Sequence, residues 1–165
     1  MFDARRMPES AAHSRFGTWL RFASFLVAVP GVGLLIGAFN LPGAWYAALH
    51  KPSFNPPDWI FAPVWTVLFI LIGLAGFRTF ERQPRGKAAA LWALQMTLNF
   101  AWSPLFFSLH RIDVALAIIL ALLSAILAFI WCQWRADRVA ALLFFPYAAW
   151  VGFATTLNTA ILLLN

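Results

Sequence analysis

Cysteine, histidine and acidic residues are scarce in this chain, and each scarcity excludes a class of function. The single cysteine, Cys132, excludes an internal disulfide and a cysteine-based zinc or iron–sulfur site. The three histidines, His13, His50 and His110, lack metal-ligand spacing, so we predict no metal site. No acidic residue lies in the middle of a long apolar run, which argues against a proton-driven pump. Neither a Ser/His/Asp or Cys/His set nor a glycine-rich phosphate loop is present.

Apolar residues, by contrast, dominate the composition. Of the 165 residues, 62% are hydrophobic and 11% are charged, which is unlike a soluble domain. Five apolar runs are long enough to cross a hydrocarbon core of about 30 Å. They predict helices at about 20–40, 57–79, 87–109, 113–134 and 138–164. The first run resembles a signal peptide, but its length and the lack of a cleavage site favour a retained helix.

These runs predict an all-α integral membrane protein. A single domain, residues 19–165, would form a bundle of five transmembrane helices, and residues 1–18 would form a flexible basic N-terminal arm. The bilayer is then the main partner of the chain.

Basic residues are distributed unevenly between the two sides of this predicted bundle. Ten of the twelve fall on the side of the N-terminus: Arg5, Arg6, Arg15, Arg21, Arg78, Arg82, Arg85, Lys87, Arg135 and Arg138. Only Lys51 and Arg111 lie opposite. The positive-inside rule therefore predicts a cytoplasmic N-terminus and an external C-terminus. Because the basic residues determine the orientation in the membrane, the net charge of +6 does not indicate nucleic-acid binding, and we predict no nucleic-acid partner.

The longest predicted connection, residues 41–56, leads into a proline-rich helix start. The sequence KPSFNPPDWIFAPVW covers residues 51–65. We predict Asn55 as the N-cap and the two prolines after it as the first helical residues, where a backbone N–H has no partner within the helix. Pro63 is predicted to bend the helix from inside. We name residues 41–56 the lid loop; its candidate functional residues are Trp45, Lys51, Pro52, Phe54, Pro56 and Pro57.

The nine tryptophans lie at two depths. Six fall near predicted helix ends or in the lid loop, as interfacial aromatic residues do: Trp19, Trp45, Trp59, Trp92, Trp131 and Trp134. Trp65, Trp102 and Trp150 lie deeper, where an indole N–H needs a partner or a wet cavity.

Three amides, Gln95, Asn99 and Asn158, accompany the deep tryptophans. Two interpretations stay open: the amides join neighbouring helices, or they and the indoles line a cavity that opens outward beneath the lid loop. Phe61 lies on the same helix face as Trp65. Aromatic walls with few charges suit a large, flat, mostly apolar ligand, but core packing and lipid contact explain them equally well.

Small residues predict close helix contacts at two places. Gly33 and Gly37 form a G-x-x-x-G pattern, and Ala93, Thr97 and Ala101 form a stripe on one helix. Packing within one chain is the favoured interpretation of either pattern alone. The stripe is our candidate contact for a homodimer.

Three blocks of sequence resemble the TspO/translocator protein family, also called tryptophan-rich sensory proteins or peripheral benzodiazepine receptors. They are WYAALHKPSFNPPDWIFAPVWTVLF (residues 45–69), QMTLNFAWSPLFF (residues 95–107) and FPYAAWVGFATTLN (residues 145–158). The resemblance implies a five-helix membrane protein, commonly a homodimer. The ligands that the resemblance implies are porphyrins such as protoporphyrin IX or haem, and it implies that no cofactor is required. Sterols and benzodiazepine-type drugs are further ligands of the family.

The resemblance also implies a site beneath the lid loop. Trp65, Asn99, Trp102, Trp150 and Ala154 match its lining positions, and we add Phe61, Gln95, Phe106, Tyr147, Asn158 and Trp59 as candidates. The implied role is tetrapyrrole sensing or trafficking in a stress response. An alternative is light- and oxygen-dependent porphyrin degradation that uses Trp65 and Trp150. His50, beside the lid loop, is a candidate haem ligand, although such a histidine is more often simply solvated.

The chain departs from the family pattern at several points. Phe54 stands where many members have tryptophan, and Phe69 replaces a frequent tyrosine. The C-terminal sterol pattern is absent from ATTLNTAILLLN, residues 154–165, which lowers the expected affinity for cholesterol. The charge bias favours a bacterial inner membrane, while some relatives are assigned to the outer membrane.

Overall fold

The computed structural model describes residues 9–165, with side chains from Phe16 onward. This part of the chain contains no β-strand, which confirms the all-α prediction. Its α-helices are α1 (Glu9–Phe39), α2 (Ala44–Ala48), α3 (Phe61–Arg82), α4 (Lys87–Ser103), α5 (Ile112–Ala136), α6 (Arg138–Leu143) and α7 (Phe145–Leu164). A 3-10 turn, Asp58–Ile60, leads into α3, and a π-helical turn, Pro104–Ser108, follows α4.

Four helical segments are long and apolar enough to cross a membrane. They are Phe16–Phe39, Asp58–Arg82, Ile112–Ala136 and Arg138–Leu164, and the last of these combines α6 and α7. The chain is therefore an integral membrane protein built of several spanning helices. The predicted helix 87–109 is not among the four, since α4 itself has only 17 residues.

The first helix starts earlier than the sequence predicted. It begins at Glu9, so residues 9–18 of the predicted arm are helical, while residues 1–8 lie outside the described chain. The segment ESAAHSRFGT has no proline and contains alanine, glutamate and arginine, which are good helix formers. The lid loop also holds a short helix, α2, that was not predicted.

One prediction about the start of α3 is wrong. Asn55 does not cap the helix: its Oδ1 accepts a hydrogen bond from the Tyr46 hydroxyl at 3.2 Å, and the 3-10 turn begins after an extended Pro57. Pro63 is the third residue of α3 and the sixth of the helical segment Asp58–Arg82, just after the 3-10 turn passes into the α-helix, so its effect on the helix axis stays a prediction.

Proline also explains where two predicted helices change form. The missing N–H of Pro104 disturbs the end of α4, and the chain continues as a π-helical turn in which the Leu109 N–H donates to the Pro104 carbonyl at 2.9 Å. His110 then ends the turn with a left-handed φ of 55°. Pro146 separates α6 from α7 in the same way, because it cannot donate to the carbonyl of Leu142.

The helices pack in a ring of neighbours: α1 on α3, α3 on α6, and α5 on both α4 and α7. Trp92 joins α4 to α3 inside this core. Its side chain is buried, and its indole N–H donates to the Ile72 carbonyl at 3.0 Å. Gly76 leaves room for the ring, since an added Cβ would lie 2.6 Å from it. The interfacial assignment of Trp92 is therefore wrong.

An ion-pair cluster joins the end of α3 to the turn between α5 and α6. Asp137, 4% exposed, accepts two hydrogen bonds from Arg78, at 2.8 and 3.0 Å, and lies 3.5 Å from Arg82. It also caps α6 through the Ala140 N–H. Burial raises the pKa of Asp137, but the Arg78 hydrogen bonds, the cap and the two arginine charges outweigh burial and lower it. This cluster lies at the end of the bundle opposite to the lid loop.

Candidate functional site

A cavity of about 380 Å³ lies beneath the lid loop, among α1, α3, α4, α5 and α7. It lies where α3 and α7 make few contacts with each other. Eight of the predicted site residues line it: Phe61, Trp65, Asn99, Trp102, Phe106, Trp150, Ala154 and Asn158. The structure thus brings together residues from three separate blocks of sequence.

Three other predicted site residues do not line the cavity. Gln95 and Tyr147 are fully buried behind its wall. Trp59, which is 73% exposed, lies outside it, as an interfacial tryptophan would.

Trp102 is held in place by a specific partner. Its indole N–H donates to Asn158 Oδ1 at 3.1 Å, and Asn158 Nδ2 donates to the carbonyl of Ile112 at 3.2 Å. The Trp102 ring also stacks on Phe106, with centroids 5.1 Å apart. One amide therefore joins α4, α5 and α7 and fixes one wall of the cavity.

The other two deep tryptophans contact neighbouring aromatic rings and form no hydrogen bond in the described chain. Trp65 stacks on Phe69 at 5.2 Å, and Trp150 meets Phe61 edge to face at 5.8 Å. Among residues 9–165 neither indole N–H has a hydrogen-bond acceptor, and both side chains line the cavity. A ligand in the cavity would find two indoles with free donors.

A short polar chain supports the wall at Asn99. Asn99 Nδ2 donates to the Tyr147 hydroxyl at 2.9 Å, and this hydroxyl donates to Gln95 Oε1 at 3.0 Å. Gln95 Nε2 is the one buried side-chain donor without a partner among the described residues. Because Gln95 fixes the Tyr147 hydroxyl and this hydroxyl fixes the Asn99 amide, Tyr147 orients the Asn99 side chain at the cavity wall.

The lid loop contributes to the cavity through residues other than the predicted ones. Leu41, Pro42 and Tyr46 line it, whereas none of the six predicted lid residues does. Tyr46 escaped prediction because a tyrosine in a connecting segment carries no periodic signal.

Those six lid residues hold the lid loop in place instead. Trp45 stacks on His110 at 4.1 Å, Lys51 Nζ lies 4.5 Å above the Tyr46 ring, and Phe54 meets Phe153 at 6.3 Å. Pro52 accepts a turn hydrogen bond from the Asn55 N–H at 3.0 Å. Pro56 accepts one from the Asn55 side chain at 3.1 Å, and Pro57 one from the Ile60 N–H at 3.0 Å. The predicted lid residues are therefore structural contacts, not cavity walls.

The half of α1 nearer the lid loop, with the residue that follows it, forms a wall that the candidate list left out. Gly33, Gly37 and Asn40 line the cavity. Gly33 lies against the Phe69 ring, whereas Gly37 has open space beside it, so only the first glycine of the G-x-x-x-G pattern serves packing within the chain. Of the homodimer candidates, Ala93 and Thr97 are exposed on the outer side of α4 and Ala101 is half-buried.

The fold and the cavity define an integral membrane protein that has a ligand-sized cavity with aromatic walls near one end of its helix bundle. The sequence profile of the TspO/MBR family matches residues 23–164. The chain therefore belongs to the TspO/MBR family, and the resemblance predicted from the three sequence blocks is confirmed.

Known relatives extend from bacteria to mammals. The chain is 37% identical over 147 residues to the tryptophan-rich sensory protein of Cereibacter sphaeroides, covering 89% of this chain and 92% of that protein. It is 36% identical over 148 residues to protein CrtK of Rhodobacter capsulatus, covering 87% and 92%. It is 35% identical over 152 residues to the translocator protein of Homo sapiens, covering 85% and 87%. The chain is thus similar to these proteins over nearly its whole length.

Proposed function

We propose that this chain is a membrane receptor or carrier that binds a tetrapyrrole in the cavity and takes part in tetrapyrrole sensing or trafficking under stress. The observation that carries the proposal is the pair of deep indoles, Trp65 and Trp150, which line one cavity and have unpaired N–H groups. Flat aromatic walls favour a flat conjugated ligand, since aromatic rings gain from stacked and edge-to-face contacts. The volume of about 380 Å³ falls within the range of roughly 300–1,000 Å³ that is usual for small-molecule sites.

Titration with protoporphyrin IX tests the proposal. The purified protein in detergent should show saturable quenching of tryptophan fluorescence and a shift of the porphyrin absorption band. Trp65→Ala and Trp150→Ala should each weaken binding about tenfold, because each removes a ring face from the ligand. Trp131→Ala is the matched control, since Trp131 is 85% exposed and lies outside the cavity. Unchanged affinity in both cavity variants would disprove this site.

We further propose that the chain crosses the membrane five times. The Arg78–Asp137 ion pair puts the end of α3 and the end of α5 at one face of the bundle. The start of α5 lies at the other face, because Ile112 contacts Asn158 near the end of α7. The segment Lys87–Ser103, with the π-helical turn after it, connects these two faces. It therefore makes the fifth crossing, although α4 alone is short.

Orientation and assembly are proposals of the same kind. The distribution of basic residues supports a cytoplasmic N-terminus and an inner-membrane location. The outward-facing Ala93 and Thr97 support a homodimer through α4. Ala93→Leu and Ala101→Leu should then shift the protein to monomer in analytical ultracentrifugation without changing porphyrin affinity. An unchanged dimer would place the interface on another face.

Porphyrin degradation driven by light and oxygen is a second candidate function, favoured because the unpaired indoles of Trp65 and Trp150 share one cavity. Illumination of the porphyrin complex with and without oxygen separates it from simple binding. Product should form only with oxygen, and the double variant Trp65→Phe with Trp150→Phe should form little. Equal product from the variant, or without oxygen, would rule this activity out.

A further inference from the structure

One charged side chain borders a cavity whose other walls are neutral. Among the lining residues in the described chain, Asp58 alone has a formally charged side chain. It lies in the 3-10 turn that leads into α3, it is exposed, and it forms no ion pair within residues 9–165. The lid-loop end of the cavity therefore carries a negative charge.

Asp58 and Tyr46 both line the lid-loop end of the cavity. Tyr46 is buried and lines the cavity from the lid-loop side. Burial raises the pKa of Tyr46 first, and the nearby charge of Asp58 raises it further. The charge of Asp58 thus acts on a residue of the cavity wall.

Neither cation on this side of the bundle, Lys51 or Arg111, forms an ion pair with Asp58. Lys51 Nζ lies over the Tyr46 ring and donates to the carbonyl of Ala47 at 3.4 Å. Arg111 forms an ion pair with Asp113 at 2.8 Å. Neither cation lines the cavity. A ligand that brings an anionic group to the entrance therefore meets an anion and no lining cation.

We propose that Asp58 makes the cavity discriminate against carboxylate groups, so that its preferred ligand is a flat tetrapyrrole with an uncharged or cationic edge at the entrance. This inference rests on the proposed function, because it concerns which tetrapyrroles enter the same cavity. Repulsion between two like charges is weak in bulk water and grows beside apolar walls, where the effective dielectric constant is lower. The expected discrimination is about five- to tenfold in affinity.

Two porphyrins with the same macrocycle test the inference. Protoporphyrin IX carries two carboxylates, and its dimethyl ester carries none. We expect the wild-type protein to bind the ester more tightly. Asp58→Asn should raise the affinity for the diacid about five- to tenfold and leave the ester within about twofold. The gap between the two ligands should shrink in about 1 M salt, where the Debye length falls to about 3 Å.

Two matched variants sharpen the test. Glu81→Gln removes the same charge at the opposite end of α3 and should change neither affinity. Lys51→Ala alters a contact within the lid loop and should change the affinities for the diacid and the ester alike; a large loss for the diacid alone would show that carboxylates bind at Lys51 and would overturn the inference. Equal binding of both porphyrins by the wild type, or an equal effect of Asp58→Asn on both, would overturn it while the proposed function stands. No binding of either porphyrin would overturn both.

Discussion

At the scale of single residues, the three deep tryptophans have different tasks even though the sequence makes them look alike. Trp102 is fixed by Asn158, while Trp65 and Trp150 present unpaired N–H groups to the cavity. The sequence predicted the depth of all three, because depth follows from position along an apolar run. It could not predict the partner of Trp102, because α4 and α7 meet only in the folded bundle.

Asn158→Leu is expected to destabilise the protein by about 1–3 kcal/mol. It leaves the Trp102 indole and the Ile112 carbonyl without their partner in a buried place. Thermal unfolding in detergent measures the loss. Thr156→Val is the control, since Thr156 is exposed and bonds only within its own helix. Equal stability of Asn158→Leu and wild type would show that this amide does not hold the wall.

The polar chain from Asn99 to Gln95 allows a second prediction at this scale. Tyr147→Phe removes the hydroxyl that joins the two amides but keeps the ring. We expect a loss of about 1–3 kcal/mol of stability, since a buried Gln95 oxygen then lacks its donor. Porphyrin affinity should fall as well, because Asn99 is no longer oriented. A variant with unchanged stability and affinity would show that these hydrogen bonds do not position Asn99.

At the scale of helices, the sequence predicted which segments are helical better than it predicted how they begin and end. The apolar runs located α3, α5 and the combined α6 and α7 within a few residues. The π-helical turn, the break before Pro146 and the 3-10 start of α3 were all missed. Each depends on how backbone groups pair around a proline after folding, and a hydropathy pattern carries no information about that pairing.

Two glycines of α1 allow a test of its contact with α3. A Cβ at Gly33 would collide with the buried Phe69 ring, whereas a Cβ at Gly37 would meet nothing within 4 Å. We expect Gly33→Ala to cost about 1–3 kcal/mol through overpacking, and to push Phe69 toward Trp65 and weaken porphyrin binding. Gly37→Ala should not lower the melting temperature. Similar losses of stability in both variants would mean that helix flexibility, and not this close contact, explains why glycine is needed at these positions.

The cluster around Asp137 connects helix ends and should make stability depend on pH. Asp137→Asn should cost about 1.5–3 kcal/mol, because charge-assisted hydrogen bonds to Arg78 are lost. The pKa of Asp137 is lowered in the folded protein. Its stabilisation is therefore complete above the unfolded pKa of about 3.9 and is lost as pH falls through the lower folded pKa.

Unfolding measured between pH 7 and pH 2 tests this dependence. The wild type should approach Asp137→Asn below about pH 4. Glu81→Gln should cost less than about 1 kcal/mol at neutral pH, because its partner Arg21 is 59% exposed. A constant difference between wild type and Asp137→Asn across this range would contradict the account.

At the scale of the whole molecule, the two ends of the bundle are chemically different. One end carries the basic residues and the buried Asp137 cluster. The other carries the lid loop, which Asn165 ties to the helices by accepting from the His50 N–H at 2.9 Å and donating to the His50 carbonyl at 3.0 Å. The cavity lies next to this second end. Orientation in the membrane therefore decides which compartment supplies the ligand.

Cysteine labelling can test the number of crossings and the orientation separately. In a Cys132→Ser background, a membrane-impermeant maleimide added to intact spheroplasts should label Ser53→Cys in the lid loop and Leu109→Cys after the π-helical turn. Pro84→Cys, between α3 and α4, should be labelled only after permeabilisation. All three positions are exposed, so accessibility reflects the side of the membrane.

The reverse pattern would invert the orientation but keep five crossings. Labelling of Pro84→Cys together with Leu109→Cys would show that α4 does not cross, because these two positions flank it and would then lie on one side.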